Sequence, residues 1–124
     1  MCALLATRER RPLEAFTTVN QWTGRTGLPR PYNARVVAPM ERVTASSGLV
    51  ILADPLPGRS KPVDTLVVTG GPGSFAAVQS ETLVKWIAGR APQAGRVASV
   101  CAGAFLRGAA GLLKGRRAVT ADHA

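Results

Sequence analysis

The stretch RVASVCAGAFLRGAAG, residues 96–111, decides how we interpret the rest of the chain. Val97 and Val100 predict a strand, and the alanine-rich run after them predicts a helix that ends at Gly111. Cys101 stands between the two in a sharp turn. A nucleophile elbow needs small residues around the nucleophile, because backbone and Cβ atoms come close together there. Small residues at the required positions are Ser99, Ala102 and Gly103.

Cys101 is therefore a candidate nucleophile. The unpaired N–H groups and the positive dipole end at a helix N-terminus favour a thiolate, so this thiol is expected to ionise more readily than a free cysteine. A free cysteine after a core strand is also commonly just a small buried apolar residue. The stretch by itself leaves both interpretations of Cys101 open.

Composition and length indicate one folded domain at most. The 124 residues are 46% apolar and 19% charged, as in folded soluble proteins. Cys2 and Cys101 lie far apart and form no disulfide framework, so we expect a cytoplasmic protein. No metal-ligand spacing occurs, and we expect neither a metal nor another cofactor. The apolar run 2–6 is too short for a signal peptide, and no run approaches the roughly 18 apolar residues of a membrane span, so we expect no membrane partner.

The formal net charge of +9 raises the question of nucleic-acid binding. A binding arm clusters its basic residues on one face with aromatic residues among them, whereas the arginines here are scattered along the chain. The nearest approaches to a cluster lie at 8–11 and 114–117. An arginine-biased genome is a sufficient explanation of the charge. We expect no specific nucleic-acid binding by this chain alone, only weak affinity for phosphates at low salt.

The residues before the elbow predict strands that alternate with helices, which indicates a parallel sheet. The predicted strands cover 2–6, 34–38 and 64–69, and a small hairpin is predicted from 42–46 and 49–53. One predicted helix begins at Pro12 and ends at Gly24, and a second is capped at Ser80-Glu81 and terminated by Gly89 and Pro92. The apolar side chains expected to face the core are Leu13, Phe16, Val19 and Trp22 in the first helix, and Leu83, Val84, Ile87 and Ala88 in the second.

A glycine-rich turn, residues 70–73, follows the predicted strand 64–69. Sites in parallel sheets form at the carboxyl ends of the strands, so we expect this turn to lie beside the elbow. The backbone N–H groups of Gly71 and Ala102 would then hold an oxyanion together, which is the arrangement that acyl transfer needs. A glycine cluster after a strand is also often only a turn.

Longer segments occur in order and at family spacing: PLEAF (12–16), ARVVAP (34–39), SSGLVILAD (46–54), DTLVVTGGPG (64–73) and SVCAGAFLRGAAGLLKGRRAVT (99–120). They resemble the ThiJ/PfpI superfamily, with its class I glutamine amidotransferase-like fold, and specifically the amino-terminal domain of AraC-type transcriptional regulators. The resemblance implies a flavodoxin-like three-layer α/β sandwich with a mostly parallel sheet, and a homo-oligomer. It makes Cys101 the elbow cysteine, with Gly71 and Ala102 as the backbone oxyanion donors.

The chain also departs from this pattern. Members usually have an acidic residue four positions before the proline that matches Pro12, where this chain has Arg8, and its nearest acid is Glu9. Members often read THW where this chain has Ala121 in the histidine position, and the only histidine is His123. We retain His123 as a weak candidate base. A thiol without an orienting partner is a poor nucleophilic catalyst.

Compared with the family, residues 1–124 are expected to form a single, partial domain. The strands and helices after residue 120 and the helix-turn-helix domain are absent, and the first strand is either shortened to 2–6 or lost. A natural truncation, a split gene and a wrong reading frame all remain open. The missing acid and displaced histidine favour a domain that senses an unidentified small molecule and dimerises, without catalysis. The alternative is a small cysteine-dependent enzyme of the hydratase, hydrolase or glyoxalase-like type.

Overall fold

The computed structural model describes residues 2–5, 11–44, 48–70, 79–100 and 102–119. A helix lies between the first two strands and another between the last two, as the sequence predicts. The strands are β1 (Cys2–Leu5), β2 (Ala34–Val37), β3 (Arg42–Thr44), β4 (Val50–Leu52), β5 (Thr65–Val68) and β6 (Arg96–Ser99). The helices are α1 (Arg11–Arg25), α2 (Glu81–Arg90) and α3 (Gly103–Ala109), and a 3₁₀ turn, Ala91–Gln93, follows α2.

Four strands form a parallel sheet in the order β2-β1-β5-β6. Cys2 lies opposite both Ala34 and Thr65, so β1 pairs on both sides and is a central strand. A central first strand is what a doubly wound sheet requires. Of the two expectations for this strand, loss is wrong, and the shortened strand is present as Cys2–Leu5.

The core is built around β5. Leu66, Val67 and Val68 are at most 5% exposed, which confirms the interpretation of a continuous apolar run as a parallel strand buried on both faces. Ile87 of α2 and Leu106 of α3 are fully buried in the same cluster. Both helices are therefore held against β5 by apolar packing.

Helix α2 is capped as predicted, but near its C-terminus the residue that faces the core differs from the predicted one. The Oγ of Ser80 accepts a hydrogen bond from the Leu83 N–H at 3.4 Å. Leu83, Ile87 and Arg90 are buried, whereas Ala88, predicted to face the core, is exposed. The buried residues follow one another at helical spacing, and Ala88 lies farther round the helix from that stripe. The helix continues through Gly89 and ends at Arg90, between the two residues, Gly89 and Pro92, that were predicted to terminate it.

Helix α1 exposes two residues that were predicted to be core. Val19 is 42% and Trp22 62% exposed. Asn20 instead fixes the rotation of the helix, because its Nδ2 donates to the Tyr32 carbonyl at 2.6 Å and its Oδ1 accepts from the Tyr32 N–H at 3.0 Å. Thr23 on the same side is buried. Satisfying the backbone of the loop before β2 decides which side of α1 faces inward.

The predicted hairpin is present as β3 and β4, which are antiparallel. Its inner side contributes Val43 and the adjoining Ala53 to a small cluster with Ala38. Its outer side exposes Val50 and Leu52, at 53% and 69%. Their cross-strand partners Arg42 and Thr44 are exposed on the same side, so the outer surface of the hairpin combines two apolar and two polar side chains. Within the described ranges, no helix has both the length and the apolar character needed to cross a membrane.

Candidate functional site

The elbow has the strand, turn and helix that the sequence predicts. Strand β6 ends at Ser99, and α3 begins at Gly103. The Val100 N–H donates to the Val68 carbonyl at 3.0 Å, and the Gly103 N–H donates to the Val100 carbonyl at 3.0 Å. The first bond continues the pairing of β6 with β5, and the second closes the turn. The reversal from strand to helix therefore takes place between Ser99 and Gly103.

The turn after β5 lies directly against this elbow. A Cβ atom added to Gly70 would lie 2.5 Å from the Gly103 nitrogen and 2.6 Å from the Ala102 nitrogen. A Cβ atom added to Gly103 would overlap the Val68 carbonyl oxygen and lie 3.0 Å from the Thr69 carbonyl carbon. Real Cβ atoms essentially never approach backbone atoms this closely. Both positions need glycine, and the prediction that turn and elbow lie side by side is confirmed for Gly70.

Ala102, one of the two predicted oxyanion donors, is the N-cap residue of α3. The first N–H groups of a helix have no intrahelical acceptor, and the dipole of the helix favours negative charge at this end. The amide nitrogen of Ala102 also faces Gly70, the residue just before the other predicted donor, Gly71. Backbone donors are thus the chemistry that the described part of the elbow offers.

Arg107 is a cationic residue near the elbow that the sequence analysis missed. Its Nη1 donates to the Ser99 Oγ at 3.4 Å, which joins α3 to the last residue of β6. Its Nε is buried, and in the described part of the chain it has no hydrogen-bond partner. A single charged residue in the otherwise apolar run GAFLRGAAG is the signal that would have identified it.

Several residues named from the sequence lie outside the described residues. They are the candidate nucleophile Cys101, the predicted oxyanion donor Gly71, the weak candidate base His123, the residues at which the chain departs from the family pattern (Arg8, Glu9 and Ala121), and the side chain of Leu13. Their roles stay predictions.

Comparison with known proteins agrees with this architecture. The chain matches the DJ-1/PfpI family over residues 5–123, which include strands β2, β5 and β6 of the parallel sheet, the elbow and α3. It is a member of the DJ-1/PfpI family. A solved ThiJ/PfpI family protein from Pseudomonas syringae superposes on it with a TM-score of 0.69 at 27% identity, over 92% of this chain and 47% of that one. The parallel sheet and helices described above are therefore those of the flavodoxin-like α/β fold of the DJ-1/PfpI family.

Sequence relatives of this DJ-1/PfpI chain differ in function. It is 42% identical over 113 residues to an uncharacterized protein of the Streptomyces lividans cpoL 5' region, covering 88% of this chain and 74% of the relative. It is 38% identical over 78 residues to the isonitrile hydratase of Pseudomonas putida, covering 63% of this chain and 34% of the hydratase. It is 46% identical over 52 residues to the HTH-type transcriptional regulator Rv1931c of Mycobacterium tuberculosis, covering 42% of this chain and 20% of the regulator. The chain thus spans only a minor part of the two relatives whose names state a function.

Proposed function

We propose that this DJ-1/PfpI chain is a ligand-sensing and dimerisation domain, resembling the amino-terminal domain of AraC-type transcriptional regulators. The observation that carries the proposal is an elbow without its usual partners. Arg8 occupies the position of the expected acid, and Ala121 that of the expected histidine. Without an acid or a base to orient and deprotonate the thiol, the elbow binds but does not turn over. The 46% identity with a named regulator supports this choice.

In this proposal the ligand lies at the carboxyl edge of the sheet, where ligands of doubly wound folds bind. A carbonyl or oxyanion of the ligand accepts from the Ala102 N–H, and Cys101 contributes a contact. The outer side of the hairpin, with Val50 and Leu52 exposed, supports association between subunits. Reading of DNA belongs to a separate helix-turn-helix domain, with residues 1–124 forming part of the sensing domain.

The alternative function is that of a small cysteine-dependent enzyme of the hydratase, hydrolase or glyoxalase-like type. The close approach of Gly70 to the Ala102 nitrogen supports it, because the two predicted oxyanion donors are Ala102 itself and the residue that follows Gly70. In this mechanism Cys101 attacks, the N–H groups of Ala102 and Gly71 stabilise the oxyanion, and His123 moves the proton. The 38% identity with an isonitrile hydratase supports the same alternative.

Two measurements separate these functions. In the first, the chain is fused to a monomeric DNA-binding headpiece that represses a reporter gene only as a dimer. We expect repression, because the chain would bring two headpieces together. The second assays the purified chain and Cys101→Ser with an isonitrile, methylglyoxal and p-nitrophenyl acetate, and we expect no Cys101-dependent turnover. If the chain turns over one of these substrates and Cys101→Ser abolishes the turnover, the sensing function is contradicted and the enzymatic function is supported. A fusion that expresses but does not repress would contradict dimerisation.

A further inference from the structure

A cleft lies at the opposite end of the parallel strands from the elbow. It has a volume of about 370 Å³ and is lined by Arg59, Ser60, Pro62, Val63, Arg90 and Gln93. These residues supply guanidinium groups, a hydroxyl and an amide, and none of the described residues that line the cleft is a carboxylate. Val63 lies two residues before the start of β5, so the cleft lies at the amino ends of the strands. The elbow lies at their carboxyl ends, roughly 13 Å away for a strand of four residues.

Arg90 places a buried positive charge in the wall of this cleft. The residue is only 5% exposed. Its Nη1 donates to the Gly58 carbonyl at 3.1 Å, and its Nη2 donates to the Lys61 carbonyl. Carbonyl oxygens are neutral acceptors, and among the described side chains no carboxylate forms an ion pair with Arg90. Its Nε has no hydrogen-bond partner in the described chain. A guanidinium has more donors than two carbonyls use, so both charge and donors remain to be satisfied.

The loop that forms the other wall is held in place by α2. The Trp86 Nε1 donates to the Pro57 carbonyl at 3.0 Å, and the Arg90 guanidinium lies 6.0 Å from the centre of the Trp86 ring. Together with the bonds from Arg90, this contact anchors the loop on both sides of Arg59. The Arg59 side chain itself is exposed. The cleft therefore combines a buried guanidinium, held by two carbonyl groups, with a solvent-exposed one.

We propose that this cleft binds the oxyanion group of a small molecule, a carboxylate or a phosphate, between Arg59 and Arg90. The planar fork of arginine matches both groups and forms charge-assisted hydrogen bonds with them. Ser60 adds a hydroxyl donor. The net charge of +9 attracts anions to the protein as a whole, and the cleft concentrates that attraction at one position. This site is separate from the elbow and does not depend on the proposed function.

A neighbouring cavity indicates where the rest of such a molecule would lie. The cavity, of about 590 Å³, shares Arg59 and Arg90 with the cleft and is also lined by Leu56, Pro57 and Trp86. Aromatic and aliphatic surface next to an oxyanion site suits an apolar carboxylate more than a bare inorganic ion. Benzoate is therefore expected to bind more tightly than acetate, and inorganic phosphate tests the other oxyanion.

Trp86 provides the readout. The chain has two tryptophans, and Trp22→Phe removes the other one, which is 62% exposed. In this background the full chain is titrated with sodium benzoate, sodium acetate and potassium phosphate at constant ionic strength, with sodium chloride as the balancing salt. We expect a saturable change of Trp86 fluorescence with benzoate or phosphate, and a rise in melting temperature at saturation.

Two matched charge-reversal variants distinguish binding in the cleft from non-specific attraction of anions to the positively charged protein. Arg59→Glu should weaken binding by about tenfold or more, since it replaces a partner of the anion by a like charge. Arg42→Glu makes the same change at an exposed position of β3, away from the cleft, and should change affinity by about twofold at most. Both exposed variants are checked for folding by circular dichroism. Equal weakening by the two variants, or the same signal with chloride, would overturn the proposal. The proposal would also be overturned if a duplex oligonucleotide gave a saturable change of Trp86 fluorescence at a lower concentration of phosphate groups than inorganic phosphate does. The cleft would then bind a polyanion.

Discussion

Gly103→Ala tests the close contact between the elbow and β5, because two physical effects at this position predict changes of opposite sign in the stability of the protein. Gly103 is the first residue of α3. On helix propensity alone, alanine in place of glycine would stabilise a helix by about 1 kcal/mol. The added methyl would, however, overlap the Val68 carbonyl oxygen and lie 3.0 Å from the Thr69 carbonyl carbon. Forcing atoms into a packed core costs about 1–3 kcal/mol.

The cost at Gly103 is expected at the upper end of that range. The obstructing atoms belong to the backbone of β5, whose side chains at Leu66 and Val68 are fully buried, so they have no room to move aside. Taking about 3 kcal/mol for overpacking and about 1 kcal/mol for propensity leaves a loss of about 2 kcal/mol. For a domain of this size that lowers the melting temperature by roughly 8 °C.

Gly108→Ala is the matched control in the same helix. A Cβ atom there would meet only the Leu113 Cδ1 at 3.9 Å, an ordinary contact. This variant should therefore keep the propensity gain and raise the melting temperature by a few degrees, roughly 2–4 °C. Thermal unfolding followed by circular dichroism measures both. If Gly103→Ala is as stable as Gly108→Ala, the contact between elbow and β5 does not exist as described.

Three further predictions concern other parts of the chain. Cys101 should be alkylated faster than Cys2 at neutral pH, because a thiol at a helix N-terminus ionises more readily; mass spectrometry after brief iodoacetamide treatment measures this, and faster labelling of Cys2 would argue against an activated thiol. Asn20→Ala should cost about 0.5–1.5 kcal/mol in the free energy of unfolding, because it removes both hydrogen bonds to the backbone of Tyr32, whose exposed groups can then bond to water; the neighbouring exposed Gln21→Ala should change little in urea unfolding, and equal costs would contradict the anchoring role. DNA affinity should be weak, strongly salt-dependent and indifferent to sequence, and tight binding of one sequence in titrations at physiological salt would refute this.

The parts of the fold that follow from local pattern were predictable from the sequence. Strand β5 is a continuous apolar run because the sheet buries both its faces. The elbow was predictable because β-branched residues, small residues and an alanine-rich run succeed one another. In each case the residues that determine the structure are neighbours along the chain.

The parts that depend on distant partners were not predictable. Val19 and Trp22 follow Phe16 at a spacing that favours a core-facing stripe, yet both are exposed, and the bonds of Asn20 to the backbone of Tyr32 turn another side inward. Arg90 belongs to a residue type that is almost never buried unless paired. It is buried because two carbonyl groups of a loop distant in sequence accept from it. No local pattern contains that information.

The two ends of the sheet differ in the kind of group they offer, and the packing explains the difference. At the carboxyl ends of the strands, Gly70 and Gly103 bring two backbones so close that no side chain fits between them, so the ligand site proposed there would rely on backbone N–H groups. At the amino ends, the loop and α2, which are joined by hydrogen bonds from Trp86 and Arg90, enclose a cleft lined by arginine side chains. Strand β5 joins the two ends, and energetic coupling between sites needs an element with two arrangements. Because β5 is packed on both faces, it has room for one arrangement only, and the geometry favours two sites that bind independently.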